Sequence, residues 1–539
     1  MAGASDRFER VFRPAIAGAV SAAAALATAE LVAGIVSGAP SLVAAVGSLV
    51  IDLQPPGAKD FVVGLFGTND KLALETSIVV VSLAIAAGLG VAARRRFAIG
   101  AAGFAAFAVL GWVAAIRDPQ AMPALAAATA AASAAVGIQL LSWLVGPVSR
   151  RNVQPADTRT VDGGVAANGP GSTGRPPRRR RPAMPDWSRR TFLLRSAAVA
   201  AGSVAAATVG RTLLAAQRAA PSTAGHPVPP PVVTAALPAG AQLSVDGITP
   251  LIVPNGSFYR IDTALLVPNV DIGAWKVRVW GKVDREVTLT FDQLVQLPLF
   301  EQYVTIACVS NYVGGDLVGN AKWTGVHLRD VLAMAGVQNG ATQLVGRSVD
   351  GFTVGMPTEW VIDTSRDPMI AVEMNDAPLP REHGFPARLI VPGLYGYVSA
   401  TKWLAELQLT TLEAFDAYWV PLGWAKKAPI LTQSRIDVPH SGSAIPAGRV
   451  SVAGVAWAPD RGVSRVEVAI DGAWQDATIS TPISKTTWVQ WLYAWNATRG
   501  KHSIEVRATD GTGEVQTADH SEPAPDGARG HHTISVTVT

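Results

Sequence analysis

The stretch YVTIACVSNYVGGDLVGNAKWTGVHLRDVL, Tyr303 to Leu332, holds Cys308, the only cysteine among 539 residues. One cysteine has no intrachain partner for a disulfide, so any selection on it beyond packing is for reactivity or ligation. Free cysteines also serve as small buried hydrophobes, and the neighbourhood has to decide between the two. The run Val304, Thr305, Ile306 and Ala307 is apolar and β-branched, which predicts a strand delivering the sulfur to its end. Ser310, Asn311, Gly314 and Gly315 follow as a turn-forming cluster where backbone can come close to a ligand. Trp323, Val326, Leu328, Val331 and Leu332 then recur at helical spacing and predict a helix beginning near residue 325. A thiol at a strand end beside a glycine-containing loop is a placement typical of ligand sites in α/β folds.

A second stretch, Leu379 to Leu404, reads LPREHGFPARLIVPGLYGYVSATKWL. Arg388 there sits between Ala387 and the apolar run Leu389-Ile390-Val391, so if the strand is buried the guanidinium needs an anionic partner.

Taken together the two stretches resemble the molybdopterin oxidoreductase (sulfite oxidase-like) family. The matching residues are Cys308 with Asn311, the segment His383-Gly384-Phe385-Pro386-Ala387-Arg388, and Lys402-Trp403. The resemblance runs from about residue 240 to the C-terminus. It implies a molybdenum–molybdopterin cofactor with Cys308 as the protein thiolate on the metal and the catalytic residue. It also implies cofactor contacts from Phe258, Tyr259, Arg260, Asn311, Ser348, His383, Arg388, Ser399, Ala400, Thr401 and Lys402. The pterin carries a phosphate, for which Arg388 offers a planar fork and Lys402 a point charge. Two departures bear on substrate. Val313 stands where sulfite oxidases have a further arginine, and Val372 stands where they have a substrate-site tyrosine. A pocket without that guanidinium and phenol is a poor sulfite site, which favours a small or protein-borne S-oxide or N-oxide. Sulfite oxidase proper, or a non-catalytic surface module on a degenerate enzyme fold, are the alternatives.

The rest of the chain gives the setting. Mean hydropathy of +0.26 reflects an Ala/Val/Leu-rich first 217 residues, and the net charge of +4 reflects arginines concentrated in a linker. That distribution fits membrane topology rather than nucleic-acid binding. Apolar stretches at about 14–37, 74–93, 97–116, 122–147 and 192–217 are long enough to span a bilayer, and 41–53 is short enough to be re-entrant. Arginines 7, 10 and 13, Arg94 to Arg96, and the group from Arg175 to Arg190 all fall on one side if that side is cytoplasmic, which puts everything after residue 217 outside. Ser188-Arg189-Arg190-Thr191-Phe192-Leu193-Leu194 looks like a twin-arginine export signal. That route carries folded cargo, and the family loads its cofactor before export.

The expected organisation is multidomain: an N-terminal α-helical transmembrane bundle (1–148), a disordered basic linker (149–190), a fifth span (191–217), a Pro-rich connector (218–239), a mixed α+β molybdopterin-binding domain (240–425) and a C-terminal immunoglobulin-like β-sandwich of the family's dimerisation type (426–539). In the last part Val466, Val468 and Ile470, then Ile504, Val506 and Ala508, then Ile534, Val536 and Val538 alternate as strands do. All eight histidines lie at or after His226 and no Cys-x-x-Cys-His occurs, so no haem is expected in this chain. Its partners are then the cytoplasmic membrane, a separate electron-transfer protein and, through the last domain, a second copy.

Overall fold

The computed structural model describes residues 8–55, 70–145, 188–216 and 223–539. Most of the expected basic linker, and the start of the Pro-rich connector, lie outside the described residues. The chain divides into two units, one of residues Met1–Leu53 and Phe66–Gln217, which holds the N-terminal helices, and one of Gln54–Leu65 and Arg218–Thr539.

The first unit consists of helices α1 (Arg13–Ile35), α2 (Leu42–Asp52), α3 (Asp70–Ala93), α4 (Phe97–Ala115), α5 (Pro123–Val145) and α6 (Arg189–Ala216). All but α2 lie in helices long and apolar enough to cross a membrane. Small residues let these helices approach closely: Gly34 of α1 meets the backbone of Gly210 in α6, and Gly18 meets Ala86 and Gly90 of α3. One group of basic residues is gathered around the first residues described, where Arg13 pairs with Glu9 at 2.9 Å, Arg94 donates to the Glu9 carbonyl at 2.6 Å, and Arg189 lies 4.2 Å over the Phe8 ring. A different group of charges ties three helices together: Arg211 bridges Glu75, at 2.8 Å, and Glu30, at 3.5 Å, while the Ser41 hydroxyl donates to Glu30 at 2.6 Å.

The second unit opens with an extended segment. The Pro-rich connector, expected as a spacer, is in its described part docked instead: the Val232 amide donates to the Leu299 carbonyl, the Glu301 amide to Val233, and the Ala235 amide to the Glu301 carboxylate. These bonds satisfy the open edge of the first strand of one sheet. That sheet runs β3 (Leu299–Ala307), β4 (Val318–His327), β7 (Met369–Met374) and β8 (Ala377–Pro378), with β9 (Arg388–Ile390) also on β7. A second sheet has the order β2 (Val287–Thr290), β1 (Lys276–Gly281), β10 (Leu404–Thr410), β5 (Gln343–Ser348) and β6 (Thr353–Pro357). Only β1 and β10 are parallel within it. The domain is therefore mixed and mostly antiparallel, in keeping with the expected α+β class.

The helix expected near residue 325 begins later. Trp323 and Val326 belong to β4, which pairs residue for residue with β3 from Leu299↔Val326 to Ala307↔Val318, and only Leu328–Ala335 (α7 here) is helical. The apolar spacing fitted a helix because strand and helix adjoin at His327. Cross-strand pairing decides: Trp323 is wholly buried and its indole donates to the Val304 carbonyl at 3.4 Å.

Two further antiparallel-rich sheets complete the chain. One has the order β11 (Gln433–Val438), β13 (Gly448–Trp457), β17 (Val489–Ala497) and β16 (Thr478–Ile479). The other has the order β12 (Ala444–Ile445), β19 (His532–Val538), β18 (Gly500–Asp510), β14 (Val463–Ile470) and β15 (Ala473–Asp476). They share a core built from Ile436, Val452, Val466, Val468, Trp491, Ile504, Val506, Ile534 and Val536. Val455, Trp457 and Trp488 instead join the core of the preceding domain, so the two domains meet through apolar contact.

Candidate active site

The two stretches singled out in the sequence come together on backbone hydrogen bonds. The Leu389 amide donates to Thr401, the Trp403 amide to Gly384 and the Leu404 amide to Ala387, which lays the His383–Arg388 segment along residues 401–404. Gly384 is the hinge of this contact. Its φ of +115° is left-handed, and a Cβ there would sit 3.0 Å from Arg388 Cβ and 3.1 Å from Lys402 Cα. Only glycine lets the two cation-bearing segments lie this close.

Cys308 directly follows β3 and starts a loop that returns into β4. The loop is closed by the Cys308 amide on Leu317, the Asn311 amide on Cys308, and the Leu317 amide on the Asn311 side-chain oxygen at 2.9 Å. Cys308 is buried yet borders a cavity whose lining also includes His383, Arg388 and Lys402.

Of the twelve residues the sequence proposed, Phe258, Tyr259, Cys308, Ser348, His383, Arg388, Ala400 and Lys402 line that cavity. Four do not. Asn311 is spent on its own loop. Ser399 donates to the Leu394 and Tyr395 carbonyls at 3.1 and 3.0 Å. Thr401 is wholly buried with its hydroxyl against Gly346 and without a hydrogen-bond partner. Arg260 turns to Asp262, at 2.9 Å. Val372 is buried in the core and Val313 is not among the lining residues.

The cavity's electrostatics are set by burial. Arg388 is 4% exposed, donates to the His383 carbonyl at 3.0 Å and lies 5.0 Å over the Trp323 ring. Its Nε has no hydrogen-bond partner, and no carboxylate pairs with it among the described residues. Burial pulls its pKa down to about 10. Lys402 is pulled down to about 8 by burial, which its 3.1 Å contact with Asp262 offsets only in part. His383 is brought to about 3 by burial, with Lys402 and Arg388 adding to the effect, so it is neutral. Its Nε2–H donates to the Asn255 carbonyl at 3.1 Å, leaving Nδ1 as a buried acceptor without a partner. Burial raises the Tyr259 phenol, with the Cys308 charge adding to the rise, so it stays protonated.

Sequence reasoning missed Asp262, whose carboxylate holds both Arg260 and Lys402. It lies two residues after Arg260, and in an extended segment such residues share a face, which is the signal that was available. It also missed Asp350, raised by burial, and the aromatic residues Phe352, Tyr397, Trp419 and Trp424, which wall the cavity.

A comparison with known families matches residues 264–419 to the Oxidoreductase molybdopterin binding domain. The chain carries a molybdopterin-binding oxidoreductase domain. Human mitochondrial sulfite oxidase is 28% identical over 314 residues, 49% of this chain and 57% of that protein. Rice NADH nitrate reductase 1 is 33% identical over 178 residues, 28% of this chain and 19% of that protein. The chain spans about half the length of the sulfite oxidases it matches. Among solved structures, the sulfane dehydrogenase SoxCD from Paracoccus pantotrophus aligns with 58% of this chain and 92% of its own, at 23% identity and a TM-score of 0.46.

The residues fit a molybdopterin. A buried guanidinium with an unpartnered nitrogen needs an anion, and a molybdopterin phosphate would supply one. His383 Nδ1 waits for a donor, and the lone thiol borders the same cavity.

Proposed function

We propose that the chain is a membrane-anchored molybdenum–pterin oxidoreductase whose domain of residues 240–425 works outside the cytoplasmic membrane on a small or protein-borne S-oxide or N-oxide. The observation that carries the reading is Arg388, buried and charged, with no carboxylate to neutralise it among the described residues, in the cavity that Cys308 borders. Cys308 is the thiolate that ligates the metal, a soft donor suited to it. When bound, the cofactor supplies two-electron redox chemistry with oxygen-atom transfer, and the protein supplies position and exclusion. Arg388 and Lys402 take the phosphate, with Lys402 released in part from Asp262. His383 Nδ1 accepts from a pterin N–H. Tyr259, protonated beside Cys308, presents a hydroxyl to the reacting group. Phe352, Tyr397, Trp419 and Trp424 give the cavity an aromatic wall that suits a neutral sulfur or nitrogen oxide better than the sulfite dianion.

The anchoring is supported by five spanning-length helices, and its orientation by the gathering of Arg13, Arg94 and Arg189 around the first residues described. Export by the twin-arginine route, a separate electron-transfer partner, the absence of haem, and an immunoglobulin-like C-terminal domain able to pair with a second copy complete the proposal. The test is turnover of a panel of S-oxides and N-oxides by detergent-purified protein with an artificial electron donor, beside Cys308→Ser. The expected result is reduction of oxides, no sulfite oxidation, and loss of more than about 100-fold in the variant, beyond what changes to supporting residues produce. Sulfite oxidation as the dominant activity overturns the substrate class, and an unchanged Cys308→Ser enzyme overturns the mechanism.

A further inference from the structure

We propose that the C-terminal pair of sheets positions the thiol, with Arg435 of β11 as a clamp on the loop that presents Cys308. The inference rests on Cys308 being the ligand, and it gives the sandwich a role distinct from pairing with a second copy. The loop's own hydrogen bonds close it on itself at its base. An external hold comes from more than a hundred residues away. Arg435 Nη1 donates to the Gly315 carbonyl at 2.8 Å, Nη2 to the Thr249 hydroxyl at 2.7 Å, and Nε to Asp437 at 2.7 Å. Asp437 in turn accepts from the Thr249 amide at 2.9 Å. A planar fork with all three nitrogens engaged has one orientation, and Arg435 is 8% exposed, so water does not compete for it. The His532 ring, held by the Ile436 amide on its Nδ1 at 3.0 Å, lies against Gly314, whose φ of +76° and lack of a side chain admit it.

The strand leading to the thiol is held by the same part of the chain. The Thr305 amide donates to the Thr486 carbonyl at 3.0 Å, the Trp488 amide to the Thr305 hydroxyl at 2.8 Å, and the Thr486 hydroxyl to the Tyr303 carbonyl at 3.0 Å. The sulfur therefore leaves a strand pinned by residues 486–488 and enters a loop pinned by Arg435 and His532. Arg435 touches neither cofactor nor substrate in this scheme; it is a positioning residue.

Because Cys308 is the only cysteine, its alkylation reads the loop directly. The experiment uses the full chain in detergent, made without cofactor, and follows the rate of iodoacetamide modification, amide exchange across residues 309–317, and global thermal unfolding. Arg435→Gln is compared with wild type and with Arg465→Gln, whose partners Asp476 and Glu467 lie on the far sheet. Losing one charge-assisted tie to Gly315 is expected to raise alkylation and local exchange about tenfold, with no change in Arg465→Gln. The double change Arg435→Met with Asp437→Leu removes both charges, so no buried ion is stranded, and reads the clamp if the single variant does not fold. In loaded protein, Arg435→Gln should also shift the metal–thiolate absorption without removing the metal. Alkylation and exchange equal to wild type, or rising only in step with global unfolding, overturn the clamp. Absence of molybdenum from wild type would overturn the cofactor reading instead, and the alkylation rates would still decide the clamp.

Discussion

Replacing Arg388 by methionine should separate stability from cofactor binding in opposite directions. Burial holds the guanidinium down at about 10, well below the ordinary arginine value, and that lowering corresponds to about 3 kcal/mol of unrelieved burial in the cofactor-free protein. Methionine of similar length removes that penalty. It also forfeits the hydrogen bond to the His383 carbonyl and the contact with Trp323, together about 2–3 kcal/mol. The terms nearly cancel, so cofactor-free Arg388→Met should unfold within about 1 kcal/mol of wild type, a shift of roughly 2 °C for a unit this large. The loaded state behaves differently. Removing a buried charge-assisted contact to phosphate costs about 2–4 kcal/mol, and molybdenum and pterin retained after dialysis should fall by at least about tenfold. The assay is thermal unfolding of protein made with and without the cofactor, beside metal and pterin content. Large destabilisation of the cofactor-free variant, or full retention of the cofactor, would refute the assignment of Arg388 as an anion site waiting for its ligand.

Lys402 gives a pH signature. Its pKa is lowered to about 8, so the charge that attracts phosphate is present below that value and is lost as pH rises through it; cofactor or inorganic phosphate affinity should weaken above about 8, read by dialysis against buffers from pH 6 to 10. The same lowering makes its contribution to cofactor-free stability opposite in sign: it is fully present above the unfolded value of 10.5 and lost as pH falls through about 8. Thr401→Val should stabilise the protein by about 1 kcal/mol and leave cofactor content unchanged, because its hydroxyl is buried against Gly346 without a partner. A loss of cofactor in Thr401→Val would return that residue to the site.

What was legible in the sequence was periodicity and motif spacing. The alternation in β14, β18 and β19, the strand that leads to Cys308 and the apolar helices of the first unit all follow from patterns of period two or from unbroken hydropathy. Side-chain direction was less legible. Asn311, Ser399 and Thr401 fall within motif segments whose backbone lines the site, yet their hydroxyl or amide groups serve local turns or the core, and spacing alone does not say which way a loop residue points. Motif spacing also does not reveal that Asp262 pairs with both Arg260 and Lys402. The strand Val318–His327 was hidden because its last residues continue into a real helix in apolar register. The ties from Arg435 and Thr486 to the thiol strand and its loop span sequence separations of 120 and 183 residues, which no local pattern encodes.

The most direct measurement is molybdenum and pterin content of the detergent-purified full chain, made in a host that assembles the cofactor. The account predicts both, in equal amounts and stoichiometric with protein, and their loss from a variant lacking Arg388 and Lys402. Protein that is folded, carries Cys308 as a free thiol and contains neither molybdenum nor pterin would contradict it.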